Sequence, residues 1–306
     1  MINMIKNFIF SVFLIACLIA PLSVNAKTLE FVQISDTHLS LSGHDYRGRK
    51  VEESAQCLKK AIKEINKNKH VKFVIFTGDN IDTADRDDMV AFLRLANKLH
   101  KPYYVVIGNH EVFRYQHFNK KNFMHVVWLH HPQMLFKKEN YIFKPNKELV
   151  FIVVDGANEL IPAPSGYFKP ETLEWLDKQL YKYKNKKVVI VQHFPIIPPT
   201  KKRSHNTVNA DEYFQILYSH DNVLAILSGH FHYDNVIYKK GIYHMSAPAF
   251  VMPPHEYKII SIDYSPKYLF SDPAEFNITQ KLVPTGKTEP ENVESSNKNE
   301  FIEVEN

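Results

Sequence analysis

An α/β fold is what the first two thirds of this 306-residue sequence predict. Short runs rich in valine, isoleucine and aromatic residues recur along the chain, and amphipathic stretches fall between several of them. The runs are apolar at nearly every position instead of alternating, as strands buried on both faces are. Strand alternating with helix is the pattern of a sheet carrying helices on its faces.

Taken in order, "LEFVQIS" (29–35) is the first strand, followed by a helix over 50–67 in which Ala55, Leu58, Ile62 and Ile65 recur at helical spacing. Cys57 lies within that helix and reads as a buried apolar residue, not a nucleophile. "VKFVIFT" (71–77) precedes a helix over 85–99, and "YYVVIG" (103–108) follows it. "LVFIVVD" (149–155) leads to a helix over 171–184, "KVVIVQH" (187–193) to one over 208–219, and "VLAILSG" (223–229) closes the series. Beyond Gly229, "NVIYKKGIYHMSA" and "YKIISIDY" read as short strands without helices between them, hairpins that complete or flank a sheet.

The two ends of the chain read differently. Residues 1–26 carry Lys6, an apolar run from Phe8 to Leu22, and Val24 and Ala26 where a signal peptidase reads, so an export signal and a periplasmic or secreted mature chain are expected. The run is short and broken by Pro21, which argues against a membrane span, and no transmembrane helix is expected in the mature chain. "LIAC" (14–17) resembles a lipoprotein cleavage box that would make Cys17 a lipid anchor, but the apolar stretch continues past it. With residues 1–26 removed, Cys57 is the remaining cysteine and no internal disulfide can form. From about Pro284 the sequence turns polar and acidic, the composition of a disordered tail over 284–306, leaving 27–283 as the folded domain. A net charge of +5 agrees with an anionic substrate, while the lack of a dense basic stripe argues against stable nucleic-acid binding.

The strand ends carry the chemistry. The first gives Asp36 and His38, the second Asp79 after Gly78, the third Asn109 and His110 after Gly108, the fifth His193, and the sixth His230 and His232 after Gly229. Open α/β sheets bind ligands at the carboxyl ends of their strands, so these turns converge. Two aspartates, an asparagine and four histidines form a mixed oxygen and nitrogen set suited to manganese, iron, zinc or nickel. They are too many for one tetrahedral ion and about right for two divalent metal ions sharing a carboxylate.

In sequence order, D-T-H (Asp36, His38), G-D-N-I-D (Gly78 to Asp82), G-N-H-E (Gly108 to Glu111), His193 and G-H-F-H (Gly229 to His232) resemble the signature of the calcineurin-like metallophosphoesterase superfamily over roughly residues 28 to 265. The resemblance implies a four-layer αββα sandwich of two mixed β-sheets with the metals at one edge. It implies Asp36, His38 and His232 as ligands of one ion, Asn109, His193 and His230 as ligands of the other, and Asp79 bridging, with Phe231 turned toward the core. The reaction it implies is attack of a metal-bridging hydroxide on a small phosphodiester or phosphomonoester, such as a nucleotide. His110 would protonate the leaving alkoxide or stabilise equatorial charge. Asp82 would either orient His110 by a hydrogen bond or cap the following helix.

The departures from other branches are informative. Purple acid phosphatases carry tyrosine where this chain has Asp82, and lipid-precursor pyrophosphatases arginine where it has His110; the G-N-H-E form resembles cyclic-nucleotide phosphodiesterases and general phosphatases. A catalytically silent binding module of the same fold is the competing class, but such members lose ligands and none is lost here. Tyr46, Arg47, Arg49, Arg114 and Lys201 to Arg203 lie on loops leading from the metal edge and are candidates to contact a phosphate or base. His205 and His255 have no assigned role.

Overall fold

The computed structural model describes residues 27–112, 118–131, 138–159, 164–200, 205–264 and 276–285, with the backbone of 302–303. The expected export signal with Cys17, Arg114, Lys201 to Arg203 and most of the tail lie outside the described residues.

The predicted alternation is present. β1 (Lys27–Ile34), β2 (Val71–Phe76) and β3 (Tyr103–Val105) run parallel, with α1 (Val51–Lys67) and α2 (Arg86–Ala96) in the crossovers. α3 (Lys120–His130) and β4 (Tyr141–Phe143) follow, and then β5 (Leu149–Val153), α4 (Pro170–Lys182), β6 (Lys187–Val191), α5 (Ala210–Tyr218) and β7 (Val223–Ser228). β8 (Asn235–Lys239) and β9 (Ile242–Ser246) form an antiparallel hairpin, and β10 (Glu256–Tyr264) and β11 (Phe276–Pro284) come last before β12 (Ile302–Glu303). β12 pairs in parallel with β8, so at these two residues the tail departs from the expected disorder.

The strands make two mixed sheets, ordered β11-β10-β1-β2-β3 and β12-β8-β9-β7-β6-β5-β4. Period-two alternation sends Phe73 and Phe76 of β2 to opposite faces. Phe73 stacks on Phe31 at 5.0 Å between centroids and meets Phe151 of β5 edge-on at 5.3 Å, which joins the sheets face to face. Phe76 instead packs on Phe92 of α2 at 4.9 Å, sealing the outer helical layer. On the second sheet Tyr213 of α5 stands over Phe168 and donates its hydroxyl to Gln192 Oε1 at 2.7 Å. Every residue of β5 and β7 is buried, as the uninterrupted apolar runs predict. Each such aliphatic or aromatic side chain contributes about 1.5–3 kcal/mol on burial. Cys57 is a buried free thiol on the inner face of α1.

Residues 29–262 with 278–306 form one compact unit, and 1–28 with 263–277 a second. Within the second, Thr28 Oγ1 donates to Asp263 Oδ1 at 2.5 Å and the rings of Tyr264 and Phe276 stack. Among the described residues no helix is long and apolar enough to cross a membrane.

Candidate metal centre

Each candidate residue follows a strand end, and the backbone turns there in an unusual way. Asp36, His38, Asp79, His230 and His232 all have positive φ, between 42° and 73°. Non-glycine residues enter this left-handed region rarely, at a cost of about 1–3 kcal/mol, and persist there only where surrounding bonds hold them. Those bonds are present: Asp36 N–H donates to Gly78 O at 3.1 Å, His38 N–H to Asp79 O at 2.9 Å, and Gly229 N–H to His193 O at 3.0 Å. The last of these ties the end of β7 to the end of β6.

Among the described residues two clusters take shape here, and a third group, His38, Asp79 and His110, overlaps both. Asp36, His38 and His232 bring ligand atoms within 4.8 Å of one another, and so do Asp79, His193 and His230. β7 ends at Ser228, so His230 and His232 sit in a turn, and their side chains join different clusters. Asp79 lies between the two, with Oδ2 at 3.2 Å from His193 Nε2 and 3.8 Å from His38 Nε2. His230 Nε2 and Asn109 Oδ1 are buried without a hydrogen-bond partner, and His193 Nε2 is buried facing the Asp79 carboxylate. A buried acceptor left unpaired costs about 1–3 kcal/mol unless something binds there. A divalent cation would satisfy such lone pairs, and this donor set fits the two-ion centre that its chemistry predicts.

The charges agree with that reading. Burial alone would raise the pKa of Asp36 and of Asp79, but the imidazoles of His232 and His193 respectively more than offset it and hold both carboxylates well below their usual range. Burial lowers His38 to about 3, with His110 adding to it, and burial with His193 drives His230 well below the ordinary imidazole value. Both are therefore neutral, the form that ligates. His193 moves the other way: burial would lower it, but Asp79 raises it to about 9.

His110 lies beside this centre, its ring edge-on to His38 at 4.5 Å and its backbone N–H donating to Asp79 Oδ1 at 2.9 Å. Its Nδ1 is 2.5 Å from the backbone carbonyl of Asp82. Neither expected role of the Asp82 side chain is seen. The carboxylate faces His38 Nδ1 at 3.1 Å and accepts from Tyr46 Oη at 2.8 Å, while Asp85 caps α2. Asp82 thus reaches His110 through the main chain alone. Arg49 Nη1 adds contacts to Tyr46 Oη at 2.5 Å and Asp82 Oδ1 at 3.5 Å. Tyr46 and Arg49, expected as loop contacts for substrate, are engaged in holding the Asp82–His38 pair. Phe231 is half-buried beside His205 and His230, not turned into the core. His205 also faces His230, at 5.2 Å between ring centroids.

Glu111 was legible only as the last letter of G-N-H-E. Fully buried, it accepts backbone N–H bonds from Asp79 (3.0 Å), Asn80 (2.5 Å), Ile81 (3.1 Å) and Gly108 (2.5 Å). One carboxylate therefore fixes the turns after both β2 and β3. The backbones approach so closely that a Cβ on Gly108 would lie 2.2 Å from Asp79 Oδ1.

Residues 29–234 match the model of the calcineurin-like phosphoesterase family. The chain is 28% identical over 225 residues to a probable cyclic nucleotide phosphodiesterase of Colwellia psychrerythraea, covering 70% of this chain and 75% of that one. It is 27% identical over 205 residues to a probable glycerophosphodiester phosphodiesterase of Arcobacter nitrofigilis, covering 66% and 71%. Among solved structures it resembles a dimetal phosphatase from Danio rerio, with a TM-score of 0.65 at 19% identity over 84% of this chain and 99% of the other. That last likeness is one of fold.

Proposed function

The chain belongs to the calcineurin-like phosphoesterase family, and from that premise we propose that it cleaves small organic phosphodiesters at a two-ion centre. It is a metal-dependent phosphoric ester hydrolase. The diester preference is supported by the activities named for two of its curated relatives, on cyclic nucleotides and on glycerophosphodiesters.

The observation that carries the reading is the buried cluster of Asp79, His193 and His230, with ligand atoms within 4.8 Å of one another, together with the unpartnered buried atoms His230 Nε2 and Asn109 Oδ1. In this reading Asp36, His38 and His232 would hold one divalent ion, Asn109, His193 and His230 the other, and Asp79 would be shared. When bound, the ions polarise the phosphoryl oxygens and lower the pKa of a water so that it can attack phosphorus at neutral pH. The protein's own groups supply orientation and a proton. With Nδ1–H donated to the Asp82 carbonyl, the ring of His110 is held so that its imidazolium form would turn Nε2–H to the leaving oxygen and give up that proton as the ester bond breaks. The Arg49–Tyr46–Asp82 chain fixes the ring of His38 through Nδ1, leaving Nε2 for the ion.

Hydrolysis of bis-p-nitrophenyl phosphate and p-nitrophenyl phosphate tests this after chelation and after manganese is restored. Manganese should restore turnover of the diester above the monoester. Asp79→Asn should abolish it, and His110→Ala should lower kcat by roughly 10²–10⁴-fold with bound manganese unchanged. A monoester preference would overturn the diester assignment. Undiminished turnover in Asp79→Asn would overturn the two-ion centre.

A further inference from the structure

A further cluster lies away from these strand ends. Glu53 and Cys57 are one turn apart on α1, and His255 comes from the loop between β9 and β10; their ligand atoms all lie within 4.8 Å of one another. Residues four apart share a helix face, so Glu53 and Cys57 present a carboxylate and a thiol side by side. His255 closes the third side.

His255 is held as a ligand histidine is held. It is 4% exposed, and its Nδ1 is 2.8 Å from the Phe250 carbonyl. Donation of Nδ1–H to that carbonyl leaves Nε2 as the basic nitrogen, the orientation that carbonyl partners impose on metal-bound imidazoles. The main chain at His255 is fixed too. Its N–H donates to Met252 O at 2.8 Å, and its carbonyl accepts from Thr285 N–H at 3.2 Å and Thr285 Oγ1 at 2.7 Å. These bonds hold a residue whose φ is +58°. A buried imidazole in a strained backbone, with a thiol and a carboxylate within reach, is an arrangement that apolar packing does not require.

We propose that Glu53, Cys57 and His255 form a third metal site, separate from the phosphoesterase centre, that binds one zinc-like divalent cation. Thiolate, imidazole and carboxylate are the ligand types zinc takes, and three protein ligands leave a fourth position for water. A tetrahedral zinc ion sets its ligand atoms about 3.3–3.6 Å apart. Glu53 is exposed and free to rotate, so it can supply that contraction. Without a cation the site is a poor one for charge, because burial first, and Glu53 as well, push the Cys57 thiol up. Binding releases the thiol proton to solvent. The loop it clamps is the one whose Phe250 and Val251 N–H groups bond Ser35 O at 2.8 Å and Asp36 O at 3.1 Å. An ion here would brace the backbone of Asp36 from behind.

Cobalt(II) distinguishes this site from the other two, because none of the phosphoesterase residues is a cysteine and only a thiolate ligand gives intense near-ultraviolet charge-transfer absorption. Cobalt titrated into the metal-stripped full chain should raise such a band, and its plateau should correspond to one thiolate–cobalt bond per chain whatever cobalt the other two sites take up. The band should be absent in Cys57→Ser, need at least tenfold more cobalt in Glu53→Gln, and persist in Asp79→Asn. Both site variants change single heavy atoms, and circular dichroism should show each of them folded at the temperature of the titration. No band in the wild type would overturn the proposal. A band surviving in Cys57→Ser would also overturn it, since Cys17 would then be the thiolate.

Discussion

Glu111 shows what a single side chain does at this edge. Its two oxygens accept four backbone N–H groups from two turns, and burial and the charge of Asp79 push its carboxyl up. Glu111→Gln would relieve that charge but offers one oxygen and an NH2 where four donors arrive. At least one amide N–H must then face another N–H, and an orphaned buried donor costs about 1–3 kcal/mol. The expected outcome is a lower unfolding midpoint in denaturant together with less manganese bound per chain, because the turns carrying Asp79 and Asn109 lose their shared anchor. Unchanged stability would refute this role. The residue was legible as a motif letter and its work was not, for a physical reason: its partners are main-chain amides, three of them some thirty positions upstream, which leave no mark on side-chain pattern. Asp82 failed to be legible the same way, since a carbonyl took the part expected of its carboxylate.

At the scale of elements, what the sequence made plain was what burial makes periodic. Six apolar runs and four amphipathic stretches became β1, β2, β3, β5, β6, β7, α1, α2, α4 and α5, because strands buried on both faces cannot tolerate polar residues. α3 escaped notice: "KKNFMHVVWLH" sets adjacent valines and aromatics in a helix with little polar contrast between faces, and it starts on a local cap, Asn119 accepting from Asn122 N–H. β4 has three residues and pairs only through β5, too short for any period. The glycines at strand ends show why elements must meet as they do. A Cβ on Gly229 would fall 1.8 Å from Ser35 Oγ and 2.6 Å from Asp36 Oδ2, whereas one on Gly241 would meet nothing within 4 Å. Gly229→Ala should therefore push β7 away from β1, lower the melting temperature and deplete bound manganese. Gly241→Ala carries only the strain of a φ of +79°, about 1 kcal/mol, and should keep its metal. Equal metal content in the two variants would show that the close approach of β7 to β1 does not shape the centre.

For the whole molecule, the proposed centre ties stability to both metal and proton. Without metal, Asp36 and Asp79 have depressed pKa values, so their contribution is present above the ordinary carboxylate value and constant from pH 6 upward. His193 has the opposite sign. Its folded pKa is raised from 6.5 to about 9, so the stability it gives the metal-free protein is complete below pH 6.5 and is lost as pH rises through 9. To serve as a ligand His193 must shed that proton, so metal uptake competes with protonation across the same window. Manganese affinity should rise with pH by up to about tenfold per unit between 6.5 and 9 and then level off. The metal-bound protein escapes the alkaline loss, because a bound ion stabilises the fold in proportion to RT ln(1 + [L]/Kd). The gap in melting temperature between manganese-loaded and chelated protein should consequently widen from pH 6.5 to pH 8.5. In Asp79→Asn the gap should be small at both pH values, since the variant lacks the shared carboxylate and the charge that raises His193. A gap that stays constant with pH in the wild type would mean that His193 gives up no proton to the metal and that the second ion is held without it.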